Sequence, residues 1–290
     1  MADFQGTKMN PARFHKSQIK FYFVLIPLAV FMAFPILYIF TTAFKPMEEL
    51  FTFPPRFLVY RPTLDNFKWL FGHMASTGIP MPRYLFNSIL ITLATVVGSV
   101  LMCVFSAYVL SKKKFKLRKV IFEINTLALM FVPIAVDIPR FIVIVRLGLF
   151  DQFVINILPL LAMPMGLFLV KQFVDQIPDS LIEAAKMDGA GDLVILRRII
   201  IPMSKPALAT TAILSFKAAW DTVDPSRFYI NDETIKSFAY YMTSFTSSTN
   251  AVSGQGISAA STLIMFLPNL IVFLIVQSKV MDTMAHSGIK

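Results

Sequence analysis

Long apolar runs alternate with short polar stretches, punctuated by proline and glycine, along the whole chain. A bilayer core of about 30 Å takes roughly 20 helical residues. Six runs reach or approach that length: about 20–43, 86–110, 119–142, 153–174, 206–223 and 257–278. Backbone groups in lipid have to be satisfied within their own segment, so each run is predicted to be a helix. Pro27, Pro35, Pro133, Pro159, Pro164 and Pro268 fall inside these runs and predict kinks. The expected fold is an all-α polytopic membrane protein with six transmembrane helices over 20–278, an N-terminal segment over 1–19 and a C-terminal tail over 279–290.

Composition agrees with that pattern. The chain has 290 residues, 56% of them hydrophobic, and its mean hydropathy is +0.66, above the range of ordinary soluble domains. Its net charge of +10 raises the question of nucleic acid. The basic residues instead cluster in loops flanking apolar segments, as in proteins that use them to fix orientation in a membrane, so no nucleic-acid partner is expected. An N-in, C-in arrangement places 17 of the 27 basic residues inside and nine outside. The short run Lys112, Lys113, Lys114, Lys116, Arg118 and Lys119 decides the matter, because it adjoins two predicted spans. Basic residues before the first run resemble a signal peptide, but that run is too long for a signal core and is read as a retained span. Outside, 44–85 reads as an ordered connector rich in proline and aromatics, and 224–256 reads as a mobile external loop.

The polar stretch at about 177–206 differs from the other loops. Ser180 and Glu183 have capping-box spacing, and Gly189 suits a left-handed helix end, which predicts a short helix over 181–188. Asp192 is placed to cap a second helix over 193–201 that stops before Pro202, and Pro206 suits the first turn of the fifth span. Two short helices joined by a Gly189-Ala190-Gly191 bend result.

Within this stretch Glu183-Ala184-Ala185 is followed by Gly189, then Ile199, then Ile201-Pro202. This resembles the EAA loop of ABC-importer permeases, with Ile201 in place of the usual leucine. Asn87-Ser88, Ala107-Tyr108, Pro133, Ile138-Pro139, Leu147-Gly148-Leu149 with Asp151, Ile177-Pro178 and Trp220 extend the likeness over nearly the whole chain. They resemble the maltose-type, carbohydrate-importing branch. Asp221, where that branch often has asparagine, and the ending Ser287-Gly288-Ile289-Lys290 depart from it; both bear on which sugar is carried.

The resemblance implies a permease subunit of an ATP-driven importer in a bacterial or archaeal plasma membrane. It implies that Glu183, Ala184, Ala185, Asp188, Gly189, Gly191 and Pro202 dock as a coupling helix on an ATPase. It also implies a homologous second permease, two ATP-binding cassette subunits and an external solute-binding protein as partners, besides membrane lipid. ATP and Mg²⁺ are expected on the ATPase subunits, with no cofactor on this chain. The implied cargo is a carbohydrate, an oligosaccharide before smaller sugars, with glycerol-phosphate-type and uronate-type solutes as neighbouring classes. A membrane-embedded enzyme and a channel without an ATPase are the other classes.

Lys217, Trp220 and Asp221 share the fifth run, the two charges at i, i+4 spacing. They line the translocation path, or they anchor the helix near the outer interface. Asn125 and Asn269 are expected to bond across helices, and Asp137 with Arg140 to form a local ion pair. Gly254-Gln255-Gly256 lacks the Gly-Lys-Ser/Thr that a phosphate loop needs. His15, His73 and His286 have no metal-ligand spacing, no catalytic cluster is legible, and Cys103 lies in an apolar run as packing. Neither a metal nor a catalytic residue is expected.

Overall fold

The computed structural model describes residues 19–54, 56–72, 78–248 and 254–287, and among these every regular element is helical. The chain divides into two compact units, residues 1–72 with 249–263 and residues 73–248 with 264–290.

In the first unit the helix Ile19–Ala43 carries Pro27 and Pro35 in its interior and no charged residue beyond Lys20. It is exposed along nearly all of its length, as an apolar helix bathed in hydrocarbon or awaiting a neighbour would be. Its end is tied down by Asn66, whose amide donates to the carbonyls of Ala43 (2.9 Å) and Lys45 (2.8 Å). Those are carbonyls that a helix terminus otherwise leaves without partners. Ala43 packs with Ala260 and Leu263 of the helix Gln255–Ser287. Of the connector expected to be ordered over 44–85, residues 55 and 73–77 lie outside the described residues, and the part before Gly72 packs on the helix. Glu49 accepts from the backbone N–H groups of Tyr60 and Arg61, and Phe57 stacks on Phe34 at 4.3 Å.

The second unit is built on the helix Met81–Lys112, hereafter the central helix. At 1.5 Å per residue its 32 residues reach roughly 48 Å. Its buried positions include Tyr84, Ser88, Ile91, Thr95, Ser99, Cys103 and Ala107, a spacing of three or four that makes one continuous stripe. The stripe is mostly small, so the helices Lys205–Asp221 and Pro164–Asp175 approach closely. Gly166 marks the point where these two helices and the central helix meet most closely on one residue. A Cβ there would stand 2.7 Å from Cγ2 of Thr211 and 3.0 Å from Sγ of Cys103.

Three helices are long and apolar enough to cross a membrane as single pieces: Ile19–Ala43, Met81–Lys112 and Gln255–Gln277. The other runs break where proline removes an N–H and crowds the preceding turn. The 119–142 run divides into Arg118–Ala128, a 3₁₀ turn opened by Pro133 and Asp137–Arg146. The 153–174 run forms a pair of helices bent by 42° ahead of Pro164. Asn125 donates to the Pro164 carbonyl at 3.2 Å, the expected cross-helix bond. The fifth run also belongs to a bent pair, Asp192–Met203 and Lys205–Phe228, at 82°. Counting each pair once gives up to five spans among the described residues.

The segment after the fifth run corrects the mobile-loop expectation over 224–248, which folds as Asp224–Phe228, a 3₁₀ turn Glu233–Ile235 and Phe238–Ser248. Its backbone is held by polar side chains of other elements, and Ser226, Lys236 and Ser237 are buried. The Asn87 amide donates to the carbonyls of Thr234 (2.8 Å) and Lys236 (2.9 Å), and Ser88 accepts from the Phe238 N–H at 2.7 Å. Asp151, at φ 60, accepts from the N–H groups of Asn231 and Asp232. Residues 249–253, the remainder of that predicted loop apart from 254–256, lie outside the described residues.

The Gly166 contact gives a direct test of this packing. Gly166→Leu forces backbone separation between the central helix and its two neighbours, an overpacking cost of about 1–3 kcal/mol. The detergent-solubilised protein should lose thermal stability, measured by the midpoint of its unfolding or aggregation curve. An unchanged midpoint would mean that these helices do not pack as described.

Candidate functional site

The 177–206 segment folds into two short helices held against the lower end of the central helix. The first is Asp179–Met187, starting two residues earlier than the capping-box reading. Pro178 is its N-cap, and no side chain caps it. Ser180 thus lies inside the helix, and Glu183 is released from a capping role. The C-terminal end follows expectation. Gly189 has φ 79, its N–H bonds to the Lys186 carbonyl at 3.0 Å, and the Ala190 N–H bonds to Ala185 at 2.9 Å. This pair of bonds is the Schellman arrangement, which requires the left-handed conformation that glycine adopts without a Cβ penalty.

The second helix is Asp192–Met203. Gly191, not Asp192, is its N-cap, and it runs through Pro202 instead of stopping there. A π turn over Leu196–Ile200 precedes the proline, loosening the ladder at the turn where the missing N–H and the ring would disrupt a regular helix.

Two kinds of force fix this hairpin. Ile177, Ile182, Ile195, Leu196 and Ile200 are buried with Val104, Ala107, Val170 and Val174. Burying an isoleucine side chain contributes about 1.5–3 kcal/mol, so this apolar face dominates. Ion pairs then set the register. Lys112, whose side chain is only 6% exposed, donates to the Ile177 carbonyl at 2.6 Å and to Asp179 at 2.7 Å. Lys113 donates to both carboxylate oxygens of Asp192 at 2.7 Å, and the Tyr108 hydroxyl donates to the same carboxylate at 2.9 Å. Lys112 holds the Asp179 carboxyl, and Lys113 the Asp192 carboxyl, below the usual carboxylate range. A carboxyl that titrates lower when folded stabilises the fold fully above its ordinary value, and that contribution disappears as pH falls through the lower folded value.

The opposite side of the hairpin is free. Glu183, Ala184, Asp188, Gly189, Gly191 and Pro202 are exposed, and Ala185 is half-buried. Glu183 makes no hydrogen bond or ion pair among the described residues. Met187 is 87% exposed and Leu193 is 72% exposed on the same hairpin. Sequence reasoning missed both. The available signal was that neither falls on the apolar stripe formed by Ile182, Ile195 and Ile200. It also missed Tyr108, Lys112 and Lys113 as anchors, since their partners lie 65 or more residues away.

The second group of predicted residues separates. Trp220 is buried, donates from Nε1 to the Met265 carbonyl at 3.1 Å and stacks on Phe216. Lys217 and Asp221 are exposed on the same helix. Asp221 accepts from the Asn269 amide at 2.8 Å, and no ion pair joins it to Lys217. Asp137 and Arg140 pair at 3.4 Å. Among the described residues no group of His, Cys, Asp and Glu has metal-binding geometry.

The chain is a multi-pass membrane protein with an exposed hairpin anchored to its helices, and the family it matches is one of transport-system components rather than enzymes. The chain belongs to the family described as binding-protein-dependent transport system inner membrane component, which matches residues 99–278. It is 26% identical over 276 residues to "Inner membrane ABC transporter permease protein YcjP" of Escherichia coli (strain K12), covering 94% of this chain and 97% of that protein. It is 28% identical to "Trehalose transport system permease protein SugB" of Mycobacterium tuberculosis (strain CDC 1551 / Oshkosh), covering 88% and 92%. It is 32% identical to "sn-glycerol-3-phosphate transport system permease protein UgpE" of Brucella abortus (strain 2308), covering 68% and 71%. Among solved structures, a chain of "a bacterial ABC transporter involved in the import of the acidic polysaccharide alginate" superposes with a TM-score of 0.74 at 25% identity, over 92% of this chain and 98% of that one.

The Asp192 anchor is testable by substitution and pH together. Asp192→Ala removes the partner of Lys113 and Tyr108, so backbone amides over 189–195 should exchange hydrogen faster than in the unaltered protein. The difference should hold from pH 5 to 8 and close only as pH drops below the ordinary carboxylate value of about 4. A difference that disappears near neutral pH would remove the carboxylate from this role.

Proposed function

We propose that this chain is a permease subunit of an ATP-driven ABC importer whose cargo is a carbohydrate, an oligosaccharide before a monosaccharide. The observation that carries the reading is the hairpin of 179–203, anchored on one side and exposed on the other at Glu183, Met187, Asp188 and Leu193. Trehalose and alginate are the cargoes named for two of the similar proteins. Glycerol-3-phosphate, named for a third, supports a second reading with a small phosphorylated cargo; uptake of labelled trehalose, an oligosaccharide or glycerol-3-phosphate discriminates between them.

In this reading the domain is a six-span bundle over 20–278, N-in and C-in, with 1–19 and 279–290 cytoplasmic. The broken segments 118–146, 153–175 and 205–221 supply the third, fourth and fifth spans. A homologous permease completes the path, two ATP-binding cassette subunits dock below, and a solute-binding protein delivers cargo from outside. ATP and Mg²⁺ reside on the cassette subunits. Glu183, Ala184, Ala185, Asp188, Gly189, Gly191 and Pro202 form the coupling surface: the carboxylates pair with basic groups of the ATPase, and the small residues allow close approach. Because the apolar face of the hairpin is fixed to the central helix, displacement of the hairpin becomes displacement of the spans. Lys217 and Asp221, exposed on the fifth span, border the path, and Trp220 acts from behind them by fixing that helix to the last one.

The coupling surface predicts a graded response in the assembled transporter. Glu183→Gln keeps size and hydrogen bonding and should retain part of the uptake. Glu183→Lys reverses the charge and should abolish ATP-driven uptake while the chain still inserts. Gly189→Val imposes a β-branched side chain on a left-handed residue, and uptake and cargo-stimulated ATP hydrolysis should both fall. Normal uptake and normal stimulation in both Glu183→Lys and Gly189→Val would remove the hairpin from coupling.

Orientation is tested separately. With Cys103→Ser as background, Lys114→Cys should resist an impermeant thiol reagent in intact cells and Ser248→Cys should react. The reverse pattern would overturn the N-in, C-in arrangement.

A further inference from the structure

The lower half of the central helix borders a groove that coupling does not use. Phe105, Val109, Phe115, Ile121 and Leu167 line it, with Ser106 at its upper end, and it encloses about 340 Å³. Ser106 and Leu167 are shared with an adjoining hollow of about 200 Å³ that reaches Asn125 and Met163. Phe105, Val109, Phe115 and Ile121 are exposed. The groove ends at Phe115, which stands between Lys114 and Lys116 and is followed by Arg118 and Lys119.

The six basic residues at this end divide into three pairs. Lys112 and Lys113 are committed to Asp179 and Asp192. Lys114 and Arg118 exert only a through-space pull on Asp179. Lys116 and Lys119 are exposed, and no ion pair among the described residues includes them. Phe105 precedes Lys112 by seven residues, about 10 Å along a helix, so the groove lies at hydrocarbon depth and the lysines at headgroup depth.

We infer that this groove and loop form a binding site for an anionic phospholipid of the cytoplasmic leaflet, an acyl chain lying along Phe105 and Val109 and the phosphate held by Lys116 and Lys119. The cytoplasmic placement rests on the orientation proposed above. Charge complementarity selects the occupant. A zwitterionic lipid fills the groove but leaves the cations without a net counter-charge, and free phosphate pairs with the lysines but leaves the groove empty. Basic clusters beside a span attract anionic headgroups in this way.

The test uses the assembled transporter in vesicles of equal phosphatidylethanolamine and phosphatidylglycerol, with photoreactive benzoylphenylalanine in place of Val109 and adducts weighed by mass spectrometry. Phosphatidylglycerol adducts should exceed phosphatidylethanolamine adducts, by roughly fivefold for each contributing lysine. Lys116→Gln with Lys119→Gln should bring the ratio back toward that of the vesicle, and Lys116→Arg with Lys119→Arg should keep the enrichment. Adducts at the vesicle ratio in the unaltered loop, enrichment that survives the glutamine pair, or adducts to another protein subunit would each overturn the site. Thiol labelling of Lys114→Cys in intact cells, on the Cys103→Ser background, separates the two readings. Enrichment with external labelling keeps the groove and overturns the orientation. Cytoplasmic labelling without enrichment overturns the groove and leaves the orientation standing.

Discussion

The last turn of the central helix is where the exposed hairpin is joined to the other helices of the second unit. Tyr108, Lys112 and Lys113 lie within about five residues; Lys112 reaches the start of the 177–192 segment, and Tyr108 and Lys113 converge on Asp192 at its end. Lys112 is the most constrained, because a nearly buried ammonium without partners would be costly. It is satisfied by the Ile177 carbonyl and Asp179 together. Ile182, Ile195 and Ile200 close the apolar layer beside these contacts. The hairpin is therefore fixed to the end of a 32-residue helix about as long as the bilayer is thick.

The broken helices have a related logic. A regular span satisfies its own backbone and needs only apolar side chains. Where a proline interrupts a run, its missing N–H leaves the carbonyl four residues back without a helical partner; Ser99 donates to one of these, Leu160, and Asn125 adds a cross-helix bond to the Pro164 carbonyl. The breaks are thus bonded sideways to the central helix and its neighbour, which ties the fourth run into the same body as the hairpin. At the other end, Asn87, Ser88, Asp151 and Asn156 perform the equivalent task for the segment 224–240.

The basic run 112–119 shows how one sequence feature takes on several structural roles. As a run it specifies which side of the membrane the loop occupies. Its first two lysines are consumed as anchors, and its remaining cations border an apolar groove. Charge counting treats all six alike, and only their partners distinguish them.

Helix content, the placement of the apolar runs, the Gly189 turn and the motif from Glu183 to Pro202 were legible from residues alone. Each rests on local physics: hydropathy over about 20 residues, the conformational freedom of glycine, and spacing along one short segment. The start of the first hairpin helix at Asp179, the roles of Asp192 and Trp220, and the ordered fold of 224–248 were not. Asp192 has the composition of an N-cap but is held by Tyr108 and Lys113 from 84 and 79 residues away. Trp220 has the composition of a sugar platform, yet its N–H is spent on Met265, 45 residues on. A polar side chain bonds to whichever partner the fold brings within about 3 Å. Sequence determines that such a partner is required; the tertiary packing of helices distant in the chain decides which one it is.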